Sequence, residues 1–261
     1  MLLLCPMFTD THCHLYSEDF NDDRREVIER AFEQGIQRIF MPNVDEDSIP
    51  GMMELAAQYP GNCFAMMGLH PCSVKDDFES VLATMRPKFE QHAFSAVGEI
   101  GIDLYWDKTF LAQQIKAFEI QIGWAKELGL PIVIHVRDSF DEVFEVLDRL
   151  NDERLRGIFH CFTGNQEQAR HVINYGGFKI GLGGVLTFKK SGLDAVVENI
   201  DMKHLVLETD APYLAPTPNR GKRNEPAYIR LVAQKLAEVK GLTVDQVAEI
   251  TTQNSIDIFK R

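Results

Sequence analysis

Short runs rich in β-branched and aromatic residues alternate along this chain with longer runs whose apolar residues recur every three or four positions. The first pattern predicts strands over Met7–Cys13, Ile36–Pro42, Cys63–His70, Phe94–Ile100, Pro131–Val136, Gly157–Cys161, Phe178–Gly183 and His204–Thr209. The second predicts helices over Asp22–Glu33, Ser48–Gln58, Phe78–Gln91, Phe110–Leu128, Phe140–Leu150, Gln166–Tyr175 and Gly192–Asn199. Pro226–Lys240 and Val244–Phe259 supply an eighth helix and one more. Strands such as Ile132-Val133-Ile134 are apolar without alternation, which suits a parallel sheet covered by helices. Eight strand–helix repeats in 261 residues is the count of a (β/α)8 barrel. The expected fold is therefore α/β, a TIM barrel in a single domain over residues 1–261 with an extra C-terminal helix. The longest stretch outside these elements, Asp210–Asn224, carries Pro212, Pro216 and Pro218 and is expected to lie over the barrel mouth.

Polar residues collect where such a barrel keeps its chemistry, at the C-terminal ends of the strands. Asp10-Thr11-His12-Cys13-His14 ends the first apolar run. Side chains alternate along a strand, so His12 and His14 share a face with Cα atoms about 6.5–7 Å apart. One cation can then meet a nitrogen of each at roughly 2.1 Å. Alone, the pair reads equally well as a polar strand end. The other strand ends repeat the pattern, with His70 on the third, Glu99 on the fourth, His135 on the fifth, His160 on the sixth, and Glu208 and Asp210 on the eighth. Each lies in apolar sequence, and a buried imidazole or carboxylate must be paired, protonated or metal-bound. Glu99 or His135 taken singly fits a core hydrogen bond as well as ligation; the convergent set points to metal. Two ions about 3.5–4 Å apart need a bridging anion, and Glu99 has the reach. Glu208 faces the same side as Asp210 one layer deeper, and is expected to orient a ligand histidine. His92, His171 and His204 fall in helical patterns or at a strand start and read as structural. Cys13 and Cys161 alternate away from the faces of their histidine neighbours and are expected to pack under the helices.

The net charge of −12, from 27 basic and 39 acidic residues, excludes a protein that coats duplex nucleic acid with a broad basic face. A compact site holding one strand end through a few local cations remains open. Arg137, Arg220, Lys222 and Arg223 would form such a funnel, unless the run after Pro218 is an ordinary solvated loop. Tyr105 and Trp106, after the fourth strand, either stack on a terminal base, worth about 1–3 kcal/mol where that occurs, or pack as a lid on the rim. Asn224 and Glu225 are expected to cap the helix that Pro226 opens. Five cysteines without a C-x-x-C pair read as reduced thiols, and Met1–Met7, which runs straight on toward His12, reads as a first strand rather than a signal peptide. With no apolar run long enough for a membrane span, a cytoplasmic location follows as the expectation.

Asp10-Thr11-His12-Cys13-His14-Leu15, Gly68-Leu69-His70-Pro71, Gly98-Glu99-Ile100-Gly101-Ile102-Asp103, His135-Val136-Arg137, His160-Cys161-Phe162-Thr163-Gly164, Glu208-Thr209-Asp210-Ala211-Pro212-Tyr213-Leu214 and Arg220-Gly221-Lys222-Arg223-Asn224-Glu225-Pro226 together resemble the TatD family of metal-dependent deoxyribonucleases. The resemblance runs in order from Asp10 to Pro226. It implies a TIM barrel of the amidohydrolase superfamily, with one divalent ion on His12, His14, Glu99 and Asp210 and a second on Glu99, His135 and His160. Glu99 stands where much of that superfamily carries a carboxylated lysine, against a urease-like or phosphotriesterase-like assignment. Histidine nitrogens suit Zn²⁺ or Mn²⁺, whereas the family is described as using Mg²⁺. The implied activity is a 3'-5' exonuclease on single-stranded DNA ends. A metal-activated hydroxide attacks phosphorus, Asp210 takes the proton, and His70 meets the phosphate or protonates the leaving oxygen; a rim histidine fixed by Pro71 is the other reading of His70. No membrane partner is implied, and a monomer or weak oligomer is expected. Hydroxide attack serves carbonyl and phosphorus alike, so an amide or ester hydrolase such as an aminoacyl-tRNA deacylase remains the alternative. A non-catalytic nucleic-acid-binding barrel is disfavoured by the complete set of candidate ligands.

Overall fold

The computed structural model describes residues 7–261. Apart from Met7, the Met1–Met7 run lies outside the described residues, and so does Cys5. Eight strands follow one another, β1 (Phe8–Asp10), β2 (Ile36–Pro42), β3 (Cys63–Met66), β4 (Val97–Asp103), β5 (Ile132–Arg137), β6 (Gly157–Phe159), β7 (Phe178–Leu182) and β8 (Leu205–Leu207). Ten helices separate and follow them: α1 (Arg24–Glu33), α2 (Ile49–Gln58), α3 (Phe78–Met85), α4 (Lys88–Gln91), α5 (Leu111–Leu128), α6 (Phe140–Leu150), α7 (Gln166–Asn174), α8 (Leu193–Glu198), α9 (Ile229–Lys240) and α10 (Val244–Phe259). Continuous ladders run β1-β2-β3 and β4-β5-β6-β7-β8, all parallel. Single parallel bridges span the two seams, Met67 with Val97 and Cys13 with Ala211. The eight-strand α/β barrel expected from the pattern is thus the fold observed.

Where element boundaries differ from expectation, local chemistry explains them. Pro87 divides the helix expected over Phe78–Gln91 into α3 and α4, because its ring fixes φ and leaves no N–H for the helix ladder. Strand β1 ends at Asp10 and β3 at Met66, so His12, His14 and His70 stand on the segments that leave the strands. Strand β4 runs the other way, on to Asp103, with a register irregularity between Gly98 and Ile100. Asn224 and Glu225 do not cap a helix with their side chains. Asn224 is buried and its Nδ2 donates to the carbonyls of Thr209 and Tyr213, both at 2.7 Å. Glu225 pairs with Arg30 at 2.7 Å.

The seam between β1 and β8 is tied by a carboxylate. Asp10 Oδ1 accepts from the backbone N–H of Thr209 at 2.9 Å and of His12 at 3.2 Å, and Oδ2 accepts from the Thr209 hydroxyl at 2.6 Å. Burial pushes the Asp10 carboxyl up to about 8 against the pull of the Thr209 bonds.

At the opposite end the barrel is plugged by its extra helix. Thr243 and Gln246 form a capping box that starts α10, and Asn254 anchors its later turns by donating to the carbonyls of Met202 and Leu205 at 2.7 Å each. The helix thereby delivers Ile258 and Phe259 to a cluster of barrel-strand side chains that includes Phe40, Met66, Val133, Ile158 and Val206. The Phe259 ring stacks on Phe40 with centroids 3.8 Å apart. Removing a buried ring and leaving a cavity costs about 3–5 kcal/mol. Phe259→Ala is therefore expected to lower unfolding free energy by about 3 kcal/mol or more in urea denaturation; a loss below about 1 kcal/mol would mean that the plug contributes little.

Candidate metal centre

The mouth of the barrel opens into a cavity of about 900 Å³ lined by His14, His70, Glu99, His135, His160 and Asp210 among others. Glu99 lies at its floor, 2% exposed and ringed by imidazoles. Its Oε2 is 3.1 Å from His12 Nε2 and 3.8 Å from His14 Nε2. Its Oε1 is 2.8 Å from His135 Nδ1, 3.0 Å from His160 Nε2 and 3.4 Å from His70 Nε2. Asp210 Oδ1 completes the first group, 3.7 Å from His12 Nε2 and 3.6 Å from His14 Nε2. Asp210 sits at φ 57, which turns the chain out of β8 toward His14. His12 and His14 lie beyond the end of β1, yet they converge as strand alternation predicted, with their Nε2 atoms 3.3 Å apart.

His12 Nδ1 is buried without a partner, whereas the neighbours of the outer nitrogens of His70, His135 and His160 indicate which nitrogen faces the cavity. His70 Nδ1 accepts from the Cys72 N–H at 3.1 Å, so the neutral ring carries its proton on Nε2, toward Glu99. His135 behaves oppositely. Its Nε2 donates to Asp103 Oδ2 and its Nδ1 to Glu99 Oε1, both at 2.8 Å. Against the pull of burial, these bonds raise the ring above an ordinary histidine. The Asp103 bond makes Nδ1 the nitrogen that would be bare toward Glu99 once a cation replaces its proton. His160 Nδ1 faces Glu208 Oε1 at 3.3 Å, which leaves Nε2 inward. Glu208 is fully buried and also accepts the Cys161 N–H. Residue 181 is glycine, and a Cβ there would collide with this carboxylate as it is placed.

The electrostatics call for positive charge at this spot. Burial alone would push the Glu99 carboxyl up, but the imidazoles of His160, His12 and His70 outweigh it and hold the group well below the usual range. Burial disfavours the charged form of His160 too, yet the Glu99 and Glu208 carboxylates raise it well above an ordinary histidine. His12, dominated by burial, is lowered. Carboxylate oxygens and the inward nitrogens of several imidazoles thus share one buried space, where the negative charge is answered by protons on the rings or by a divalent cation in their place. Among the described residues three compact groups of histidine and carboxylate result, His12, His14 and Glu99; His12, His160 and Glu208; and His70, Glu99 and His135, the last with the proton of His70 Nε2 turned into it. The residues fit a metal.

Other expected site residues divide. Arg137, Trp106, Arg220 and Lys222 line the cavity. The Arg137 guanidinium lies over Tyr105 at 3.9 Å and Trp106 at 5.3 Å, and both aromatic rings are largely exposed. Arg223 points elsewhere. It forms two bonds of 2.7 Å with Asp23 and a third with the Asp19 carbonyl, so the funnel expectation does not extend to it. Cys13 packs in the core as expected, whereas Cys161 lines the cavity instead of packing under a helix, because φ 46 at that residue turns the chain after β6. Burial pushes the Cys161 thiol well up, so it remains protonated. The structure also adds Asp103, Tyr16 and Tyr213. Asp103 was detectable from alternation, since 99, 101 and 103 share a face of β4. Tyr16, bonded to His14 through its hydroxyl, and Tyr213, with its ring 6.0 Å from that of His14, carry no such signal.

Comparison with known proteins agrees with this geometry. The family model described as TatD related DNase matches residues 9–260. A Bacillus subtilis protein named uncharacterized metal-dependent hydrolase YabD is 40% identical over 97% of this chain and 99% of its own. The 3'-5' ssDNA/RNA exonuclease TatD of Yersinia pseudotuberculosis is 32% identical over 96% of this chain and 98% of its own. The crystal structure of YjjV, a TatD homolog from Escherichia coli, superposes with a TM-score of 0.92 at 30% identity, covering 98% of this chain and 99% of that one.

The position of Arg223 yields a pH test. Its hydrogen bonds hold the Asp23 carboxyl below the usual range, so the pair stabilises the fold above the unfolded carboxyl's pKa, about 4. That contribution is lost as pH falls through the depressed value. Arg223→Ala should cost under about 1 kcal/mol at pH 7, with the difference from wild type shrinking toward pH 3. A difference that stays constant with pH would contradict this assignment.

Proposed function

The chain belongs to the TatD-related DNase family of metal-dependent hydrolases, and on that footing we propose that it is a 3'-5' exonuclease acting on single-stranded DNA ends. One observation carries the reading: a carboxylate and imidazole cluster forms the floor of a cavity whose wall holds Arg137, Arg220 and Lys222 on a chain of net charge −12. Local cations within an acidic body favour a phosphate-bearing end over a long duplex. The Yersinia relative's name gives the same polarity and strandedness.

His12, His14, Glu99 and Asp210 would hold one divalent ion, and Glu99, His135 and His160 a second, with Glu99 between them. The inward Nδ1 of His135 and inward Nε2 of His160 support this division, since a cation can take the place of their protons, and the bond from the Cys72 N–H to His70 Nδ1, which leaves the proton on Nε2, keeps that ring out of it. Zn²⁺, Mn²⁺ and Mg²⁺ are the candidate ions. Bound there, divalent cations would supply Lewis-acid activation of water and of the phosphoryl group. Asp210, part of its carboxylate open to the cavity, accepts the attacking water's proton. His70 Nε2–H donates to a phosphate or leaving oxygen. Arg137 and Lys222 bind the phosphates, while the exposed faces of Tyr105 and Trp106 offer stacking surface for the bases. Glu208 and Asp103 hold His160 and His135 in orientation. We place the enzyme in the cytoplasm, as a monomer or weak oligomer; its four described cysteines are free, and no described helix is long and apolar enough to cross a membrane.

Metal-titrated digestion of end-labelled single-stranded DNA tests this reading. Wild type should shorten the strand from its 3' end, and Glu99→Ala and Asp210→Ala should each slow it by about a hundredfold or more. Undiminished cleavage by both variants would sink the site assignment. Failure on DNA and RNA with every metal, together with cleavage of aminoacyl esters, would replace the nuclease with a deacylase.

A further inference from the structure

We propose that Tyr16 is a positioning residue that sets the tautomer of His14 and thereby aims its Nε2 lone pair at the metal centre. The inference rests on the reading of His14 as a ligand. Tyr16 lies just outside the motif that carries the family resemblance, on the loop between β1 and α1. Its hydroxyl donates to the carbonyl of Pro42 at 2.8 Å and meets Nδ1 of His14 at 3.0 Å; the Ser48 hydroxyl, which donates to the Asp45 carbonyl, lies beside it.

A phenol has one proton, and a carbonyl oxygen can only accept. The Tyr16 proton therefore goes to Pro42, at the C-terminal end of β2. What Tyr16 presents to His14 is an oxygen lone pair, so Nδ1 of His14 must donate. A neutral imidazole with its proton on Nδ1 has a bare Nε2. That nitrogen is the one 3.3 Å from His12 Nε2, 3.6 Å from Asp210 Oδ1 and 3.8 Å from Glu99 Oε2. A bare Nε2 on His14 thus faces the carboxylate oxygens of Asp210 and Glu99, acceptor against acceptor, and a cation resolves the conflict.

The phenol is held in place from three sides. Arg24 donates to the carbonyls of Leu15, Tyr16 and Ser17 at 3.0, 3.0 and 2.9 Å, which pins the loop backbone. Pro42 is fixed by the β2–β3 ladder, where it pairs with Met66. The Tyr16 ring meets the edge of the His14 ring at an interplanar angle of 82°. His135 and His160 are oriented by carboxylates, whereas His14 is oriented by a neutral hydroxyl, which fixes the tautomer without adding negative charge. The site's total charge, and with it the charge of the ion set it prefers, is thereby one unit less negative than a carboxylate at this position would give.

Cobalt binding and histidine NMR read this directly. Chelator-stripped protein is titrated with Co²⁺, followed by its visible absorption, and the His14 ring nitrogens are observed in ¹⁵N-labelled metal-free protein. Tyr16→Phe should raise the Co²⁺ dissociation constant by about 10- to 100-fold, the usual effect of losing a ligand's outer partner. It should also populate the Nε2–H tautomer of His14, with the urea midpoint near wild type; Tyr16→Leu, which also lacks the hydroxyl, replaces it if the phenylalanine variant does not fold. An affinity within twofold of wild type together with an unchanged tautomer would overturn the proposal, while loss of affinity in His14→Ala would leave the metal reading standing. If His14→Ala also bound Co²⁺ as wild type does, the ligand reading would fall and the inference with it.

Discussion

A single buried carboxylate organises this molecule's chemistry. Glu99 sits at the floor of the cavity with five imidazoles around it, and an ionised carboxylate removed from water is tolerated only when its charge is answered. The surrounding residues read as answers to that demand. His12 and His14 arrive from beyond β1, His135 from β5 and His160 from beyond β6, each with its outer nitrogen oriented by its own neighbour or left to the core. The same low-dielectric setting that makes an unanswered charge costly makes a bound cation effective, because field strength rises where water is excluded.

The rest of the fold can be understood as keeping that floor rigid from both ends. Below, α10 drives Phe259 against Phe40 and fills the barrel interior with side chains, so the cavity stops at the metal centre. Above, Asp10 and Thr209 tie β1 to β8 within two residues of His12 and Asp210, and Asn224 pins the long loop that follows. These ties are polar and buried, which makes them specific: an apolar contact tolerates sliding along the seam, whereas the Asp10 carboxyl group meets three donors at fixed places.

Much of this was legible in the chain. Period-two and helical patterning placed all eight strands, and position at the strand ends together with the cost of burying polar groups selected His12, His14, His70, Glu99, His135, His160, Glu208 and Asp210, which the structure brings together. What the pattern missed was of two kinds. Strand ends slipped by a few residues, since ligand-bearing segments leave the ladder to reach the centre, as His70 does when it caps the 3₁₀ turn Pro71–Ser73. Long-range partners were invisible too. Arg223 reads as a free cation in a basic run, but its geometry commits it to Asp23, two hundred residues earlier. Tyr16 reads as an ordinary loop aromatic until Pro42 and His14 are found at its hydroxyl. Asp103 is the intermediate case, since counting alternate positions from Glu99 reaches it once β4 is allowed to run past Ile100.

The proposed place of Glu99 between two cations is tested most directly by a crystal of the protein grown with Mn²⁺ or Zn²⁺ and measured at the metal's absorption edge. Two anomalous peaks are expected about 3.5–4 Å apart, one beside His12 and His14 and the other beside His135 and His160, each with an oxygen of Glu99 in its coordination shell. A single ion, or ions that do not contact Glu99, would contradict it.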